Sequence, residues 1–125
     1  LLESRKILGA PTLAVSATCI RVPTYRAHAE AIHAEFTRPV DPDAAREVLA
    51  AAPGLTIVDD RSANHFPMPL EASGSDDVLV GRIRSDASKP GALAFFVAGD
   101  QIRKGAALNA IQIGELLLNG SAAPA

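Results

Sequence analysis

The sequence predicts an α+β domain with a mixed, largely antiparallel sheet and helices on one face. Three observations lead to this fold class. The chain has 125 residues, the length of one domain, and its composition of 48% hydrophobic and 21% charged residues is that of a folded globular protein. Several short segments alternate apolar and polar residues with the period of a strand, while others have helix-start and helix-stop signals. The two kinds of segment follow each other too irregularly for a doubly wound nucleotide-binding fold.

The first third of the chain predicts one helix end and two strands. Residues 1–10, LLESRKILGA, are typical of the last turns of a helix that Gly9 and Pro11 terminate. Alternation of apolar and small polar residues then predicts strands over 13–22 and 31–36. No N-cap residue precedes Leu1.

The remaining elements are predicted from local stop and start signals. Asp41 is an N-cap and Pro42 an N1 residue, so a helix begins there and ends before Pro53-Gly54. Further along the chain we expect a short buried strand at 55–60 and then a long loop at 61–77, which is a candidate contact surface. A pair of strands across a turn is predicted at 78–84 and 92–98. An amphipathic helix at 99–118 and a frayed tail at 119–125 complete the predicted elements.

Charge and cysteine content exclude several classes of function. The formal net charge of −2 lacks the basic excess that nucleic-acid binding requires, and no glycine-rich phosphate loop is present. The longest uncharged run, 14 residues from Ile7 to Ile20, is too short to span a membrane. The single cysteine, Cys19, cannot form an internal disulfide, and no Cys/His cluster predicts a metal site. We therefore expect a cytoplasmic protein that binds neither nucleic acid, membrane nor metal.

A few residues could carry chemistry. Arg21 and His28 are predicted on either side of a tight turn that includes Pro23, so both side chains can reach one rim of the sheet. From the residues alone, the pair is better explained as a surface arginine and a solvated histidine at a strand end. Glu3 and Lys6 share one face of the first helix, as an exposed pair would.

Other residues with ionisable or reactive side chains are predicted to have no role. Cys19 has no adjacent histidine and is expected to be inert. His33 is expected to face solvent from its strand, and Arg26, Arg38 and Arg46 are predicted to be surface arginines.

Four ordered blocks carry a family resemblance over nearly all of residues 1–118. The chain resembles the C-terminal half of bacterial aspartate-semialdehyde dehydrogenase, in which these blocks occur in the same order. The blocks are CIRVPTYRAHAEAIHAEF, VDPDAAREVLAAAPGLTIVDD, FPMPLEASGSDDVLVGRIRSD and GDQIRKGAALNAIQIGELLL.

The resemblance implies an activity and a set of site residues. Members of this family reduce L-aspartyl 4-phosphate with NADPH to L-aspartate 4-semialdehyde and phosphate, on the route to lysine, methionine and threonine, and are homodimers. By resemblance, Arg21 binds the substrate carboxylate, His28 is the acid/base group and Glu3 contacts the substrate amino group. Lys6 matches a cation on the phosphate side, and Gln101 matches a residue that contacts NADP.

The chain also departs from the family pattern. Many relatives have Gly-His-Ser where this sequence has Ala27-His28-Ala29. The family's nucleophilic cysteine and its NADP-binding domain belong to upstream blocks, so residues 1–118 are expected to be a segment incomplete at its N-terminus and inactive alone. Two alternatives remain open: a non-catalytic dimerisation or regulatory module of the same fold, and a reductase of N-acetylglutamyl phosphate.

Overall fold

A computed structural model describes residues 2–16 and 18–118, and these form a four-stranded sheet with helices packed against it. The strands lie in the order β1-β4-β3-β2. The β2–β3 pair is parallel, and the β3–β4 and β1–β4 pairs are antiparallel. The predicted α+β class with a mixed, largely antiparallel sheet is therefore confirmed. The strands are β1 His28–Ala34, β2 Leu55–Ile57, β3 Val78–Ser85 and β4 Leu93–Gly99.

Four α-helices and one π-helical segment accompany the sheet in the described residues. None of these helices is long and apolar enough to cross a membrane. The predicted tail at 119–125 lies outside the described residues. The helices are α1 Leu2–Ile7, α2 Pro42–Ala51, α3 Pro69–Ala72 and α4 Leu108–Leu118, and the π segment is Arg103–Ala107.

Helix α2 forms where its local signals predict. The Asp41 carboxylate accepts hydrogen bonds from the backbone N–H groups of Asp43 and Ala44, at 2.9 and 3.1 Å, and Pro42 occupies the first turn. Gly54 has a φ of +76°, which lets the chain reverse after the helix without steric cost.

The strand register assigns the two faces of the sheet. His28 lies opposite Gly99 and Ile32 opposite Phe95. The side chains of His28, Ile32 and Phe95 therefore share one face of the sheet, and that of Ala98 points to the other. Helix α2 covers the first face and the π segment lies at its end, beside His28 and Gly99. Helix α3, a single turn inside the predicted loop, covers the second face, where Ala72 joins a buried cluster with Ala27, Leu79 and Ala98. Helices therefore lie on both faces of the sheet and not on one face as predicted.

A β-bulge interrupts β3 between Gly81 and Arg84. Arg82 has a φ of +54° there, and its N–H donates to Asp59 Oδ1 at 2.8 Å. A Cβ on Gly81 would lie 2.0 Å from the carbonyl oxygen of Val58, so no larger residue fits this position.

Several predicted boundaries were wrong. The described residues of 13–22 form no strand and are largely exposed, with Ile20 80% exposed. A strand needs a partner for its N–H and C=O groups, and these residues pair with no strand of the described chain. Strand β1 spans His28–Ala34, so the alternation at 31–36 marks only its second half and continues past its end, and β2 ends at Ile57. The closing helical region begins at Arg103 because β4 continues through Gly99.

Candidate functional site

A surface depression of about 460 Å³ lies where β1 begins and β4 ends. His28 is the first residue of β1, and Gln101 follows the end of β4 by two residues. The segment before β1 passes over the same place and contributes Arg21. Three of the five predicted site residues therefore lie together. The other lining residues are Cys19, Ile20, Val22, Thr24, Tyr25, Arg26 and Ala27.

The His28 side chain is accessible at the rim of the depression, with 52% of its surface exposed. Its Nδ1 lies 3.6 Å from Glu30 Oε1. An imidazole can give or take a proton near neutral pH, so this position suits an acid/base group. His28 begins β1 directly after the segment that includes Pro23, the side of that turn on which the sequence predicts it.

Arg21 reaches the depression from an irregular segment and not from the predicted strand end. Within residues 2–16 and 18–118, no carboxylate lies within 4.0 Å of its guanidinium nitrogens. A guanidinium binds a carboxylate through two parallel N–H bonds, and no carboxylate of the described chain occupies these positions on Arg21.

Asp100 lies in the site region, and no role was assigned to it from the sequence. It is fully buried between Gly99 and Gln101. Its carboxylate accepts hydrogen bonds from the N–H groups of Gly74, Ile102 and Arg103 at 2.8, 2.9 and 3.3 Å. Burial alone would raise the pKa of Asp100, but these three donors and the Arg26 charge hold that pKa below its usual value. An aspartate placed after a strand and before a helical start was the available signal.

Arg26 is the charged partner of Asp100. Its Nε lies 2.5 Å from Asp100 Oδ2. That Nε is buried and its N–H is poorly aligned with the carboxylate, so charge holds the pair more than a directed hydrogen bond does. The prediction of a surface arginine was wrong for Arg26. It was also wrong for Arg46, which donates to Asp59 and to the carbonyl of Ile83.

Ala27 has a φ of +69° and is buried next to His28. This left-handed conformation is one that glycine adopts freely and alanine only at a cost of about 1–2 kcal/mol. Many members of the family have glycine at this position. Alanine in its place therefore gives this chain a strained backbone conformation directly before His28.

Glu3 and Lys6 do not line the depression. Both lie on α1, which has no buried residue. The chain that follows is tied back to this helix, since Arg5 Nε donates to the carbonyl of Leu13 at 3.0 Å. The structure therefore does not bring these two residues to Arg21 and His28.

Cys19 is exposed and lines the depression. Across the described ranges, no group of three or more His, Cys, Asp and Glu side chains could hold a metal ion.

His33, on the same strand as His28, faces solvent as predicted and forms a separate cluster. Its Nδ1 lies 2.6 Å from Asp86 Oδ2 and its Nε2 lies 3.4 Å from Glu35 Oε1. The hydrogen bond to Asp86 and then that to Glu35 raise the pKa of His33. Hydrogen bonds from Ser88 and from His33 hold the pKa of Asp86 well below its usual range.

Comparison with known proteins identifies the family. A family model described as semialdehyde dehydrogenase, dimerisation domain, matches residues 1–104. The chain belongs to this family. Membership of a dehydrogenase family implies a nicotinamide cofactor, and the description of the family model names the matched region a dimerisation domain.

Similar proteins include aspartate-semialdehyde dehydrogenases from Synechocystis, 54% identical over 93% of this chain, and from Prochlorococcus marinus, 55% identical over 95%. The crystal structure of aspartate semialdehyde dehydrogenase II complexed with ASA from Vibrio cholerae has a TM-score of 0.78, with 39% identity over 96% of this chain. The chain spans about a third of these proteins: 34% and 35% of the two relatives and 35% of the solved chain. The family resemblance carried by the sequence blocks is confirmed.

Proposed function

We propose that this chain is the substrate-binding and dimerisation part of an aspartate-semialdehyde dehydrogenase. The whole enzyme would reduce L-aspartyl 4-phosphate with NADPH to L-aspartate 4-semialdehyde and phosphate. The observation that carries the proposal is that Arg21, His28 and Gln101 line one depression although they come from separate parts of the chain. Each has a side chain suited to a different part of this reaction.

Arg21 would bind the α-carboxylate of the substrate. Its open guanidinium can form two parallel charge-assisted hydrogen bonds, which fix the orientation of the substrate as well as its charge. Orientation matters because correct placement of the reacting carbon can contribute several kcal/mol to catalysis.

His28 would manage the proton of the nucleophile and of the acyl intermediate. The imidazole is exposed at the rim, so a substrate held by Arg21 in the same depression is within its reach. Its place at the start of β1, opposite Gly99, keeps it on a hydrogen-bonded strand while the depression remains open.

Gln101 would contact the cofactor. Its exposed amide can both donate and accept hydrogen bonds, which fits a neutral amide or ribose group of NADP. When bound, the cofactor supplies the hydride for reduction. Gln101 would hold one end of it beside the substrate bound by Arg21.

Glu3 and Lys6 carry the remaining proposed roles. Glu3 would contact the substrate amino group and Lys6 the phosphate. Both side chains are free to do so because α1 is not packed into the core. A homodimer and a cytoplasmic location belong to the same proposal and are supported by the family's dimerisation domain and the bacterial relatives.

The test is a substrate comparison with the full-length enzyme. Phosphate-dependent oxidation of L-aspartate 4-semialdehyde with NADP should exceed that of N-acetylglutamate 5-semialdehyde by more than 100-fold in kcat/KM. The reverse preference would assign the chain to the N-acetylglutamyl phosphate reductases. A dimer inactive with both compounds would make it a non-catalytic module and overturn the proposal.

A further inference from the structure

Asp100 connects three segments that meet behind the depression. One carboxylate oxygen, Oδ1, accepts the N–H groups of Ile102 and Arg103 at the start of the π segment. The other, Oδ2, accepts the N–H of Gly74 in the turn before β3 and pairs with Arg26. The carboxylate is fully buried, so its position is set by these groups and not by water.

Arg26 links this carboxylate to the start of β1. It lies two residues before His28, and the strained Ala27 stands between them. A backbone in the left-handed region relaxes unless it is held on both sides. The Ala27 side chain is buried in one cluster with Ala72, Leu79 and Ala98. Arg26, the residue before it, is paired with Asp100.

We infer that Asp100 is a positioning residue, which acts through Arg26 and the Ala27 turn to hold His28 at the rim beside Gln101. The inference rests on the proposed function only in taking His28 as the acid/base group. Asp100 does not line the depression of about 460 Å³, so it is not expected to touch the substrate.

A double-mutant cycle in the full-length enzyme tests this. His28→Ala should lower kcat by about 100-fold or more. Asp100→Asn should lower kcat by about 10-fold, with less than a 3-fold change in KM for the semialdehyde. If Asp100 acts through the histidine, adding Asp100→Asn to His28→Ala should change kcat by less than 2-fold.

The cycle separates failure of the inference from failure of the proposed function. If His28→Ala keeps wild-type kcat, the acid/base assignment fails and the inference fails with it. If His28→Ala is impaired while the Asp100→Asn effect is absent, or multiplies in full with that of His28→Ala, only the inference is overturned.

Arg26→Met provides a second route in case Asp100→Asn does not fold, because Arg26 is partly exposed. It should reproduce the loss of kcat and its dependence on His28. The matched control is Arg103→Met, which removes the same charge from an exposed pair with Asp76 and leaves the Arg103 N–H to Asp100 in place. Equal losses of kcat in the two variants would overturn the inference.

Discussion

Arg46 of α2 donates from Nη2 to Asp59 Oδ2 at 2.8 Å, and the same nitrogen donates to the carbonyl of Ile83 at 3.0 Å. Asp59 also accepts the N–H of Arg82, so this pair ties helix α2 to the bulge of β3. Burial alone would raise the pKa of Asp59, but the hydrogen bonds from Arg46 and Arg82 hold that pKa below its usual value.

Asp59→Asn should destabilise the fold by about 2–4 kcal/mol, because it leaves a guanidinium and a backbone N–H with a weaker acceptor in a nearly buried place. Chemical denaturation of the full-length protein measures the change. Asp43→Asn is the control, since Asp43 meets the same arginine at the exposed surface and should cost less than about 1 kcal/mol. Equal effects would mean that burial of Asp59 contributes nothing.

Gly81→Ala should destabilise the protein by about 3 kcal/mol or more. The added Cβ would lie 2.0 Å from the Val58 carbonyl oxygen, and backbone must move to admit it. Gly114→Ala is the control, because the Cβ at that helical position meets nothing within 4 Å and should stabilise α4 by up to about 1 kcal/mol. Unchanged stability in the Gly81→Ala variant would show that the backbone of Val58 can move away from Gly81 at no cost in free energy.

Arg21→Lys in the full-length enzyme should lower kcat/KM for the semialdehyde by more than about tenfold, since lysine keeps the charge but loses the planar fork. Thermal unfolding should change little, because Arg21 lies in an exposed irregular segment. Arg38→Lys is the appropriate control, as Arg38 is exposed and lines no part of the depression. Wild-type kcat/KM in Arg21→Lys would remove Arg21 from the substrate site.

Cys19→Ser should leave kcat/KM within about twofold of wild type. Cys19 is exposed where it lines the depression, and by the family resemblance the nucleophile is a different cysteine, in an upstream block. Steady-state kinetics, with alkylation of the remaining thiols as a comparison, measures this. A loss beyond tenfold without a change in thermal midpoint would instead place Cys19 in the chemistry.

The contact between His33 and Asp86 should make stability depend on pH in a defined window. The pKa of His33 is raised, so its contribution is complete below the unfolded value near 6.5 and is lost as pH rises through the folded value. The pKa of Asp86 is lowered from 3.8, so its contribution is complete above 3.8 and is lost as pH falls through the folded value. The pair is therefore most stabilising between about pH 4 and 6.5.

Thermal midpoints of the wild type and His33→Gln, measured from pH 3 to 9, should differ most in that window. The difference should shrink in an Asp86→Asn background, which removes the partner. A difference that grows toward pH 9 would contradict this assignment.

Local signals account for the parts of the fold that the sequence predicted well. Helix α2 needs only Asp41 and Pro42 to begin, and both act on residues within one turn. The strand predicted at 13–22 failed because alternation describes a face to bury, whereas a strand also needs a neighbouring strand to receive its hydrogen bonds. Helix α3 has four residues, too short for a periodic pattern to indicate it.

The candidate site was predictable only in part for a related reason. His28 could be placed at a strand end from sequence, but its proximity to Gln101 depends on the pairing of β1 with β4. The place of Asp100 before a helical start indicates its bonds to Ile102 and Arg103, but nothing in the local sequence indicates its contacts with Gly74 and Arg26, which lie far away in the chain. The family resemblance implied roles for residues that contact substrate or cofactor, and it implied none for Asp100.

The pairing of His28 with Gly99 also governs when the site can form during synthesis. Strand β1 is synthesised before its described partner, β4, which follows after an interval of about 60 residues that contains α2 and both other strands. Closure of so long a loop is slow compared with formation of α2. A nascent chain halted before residue 93 would therefore expose β1 with no described strand to pair with. Its edge could then bind chaperones or other chains, and the depression beside His28 and Gln101 would not yet exist.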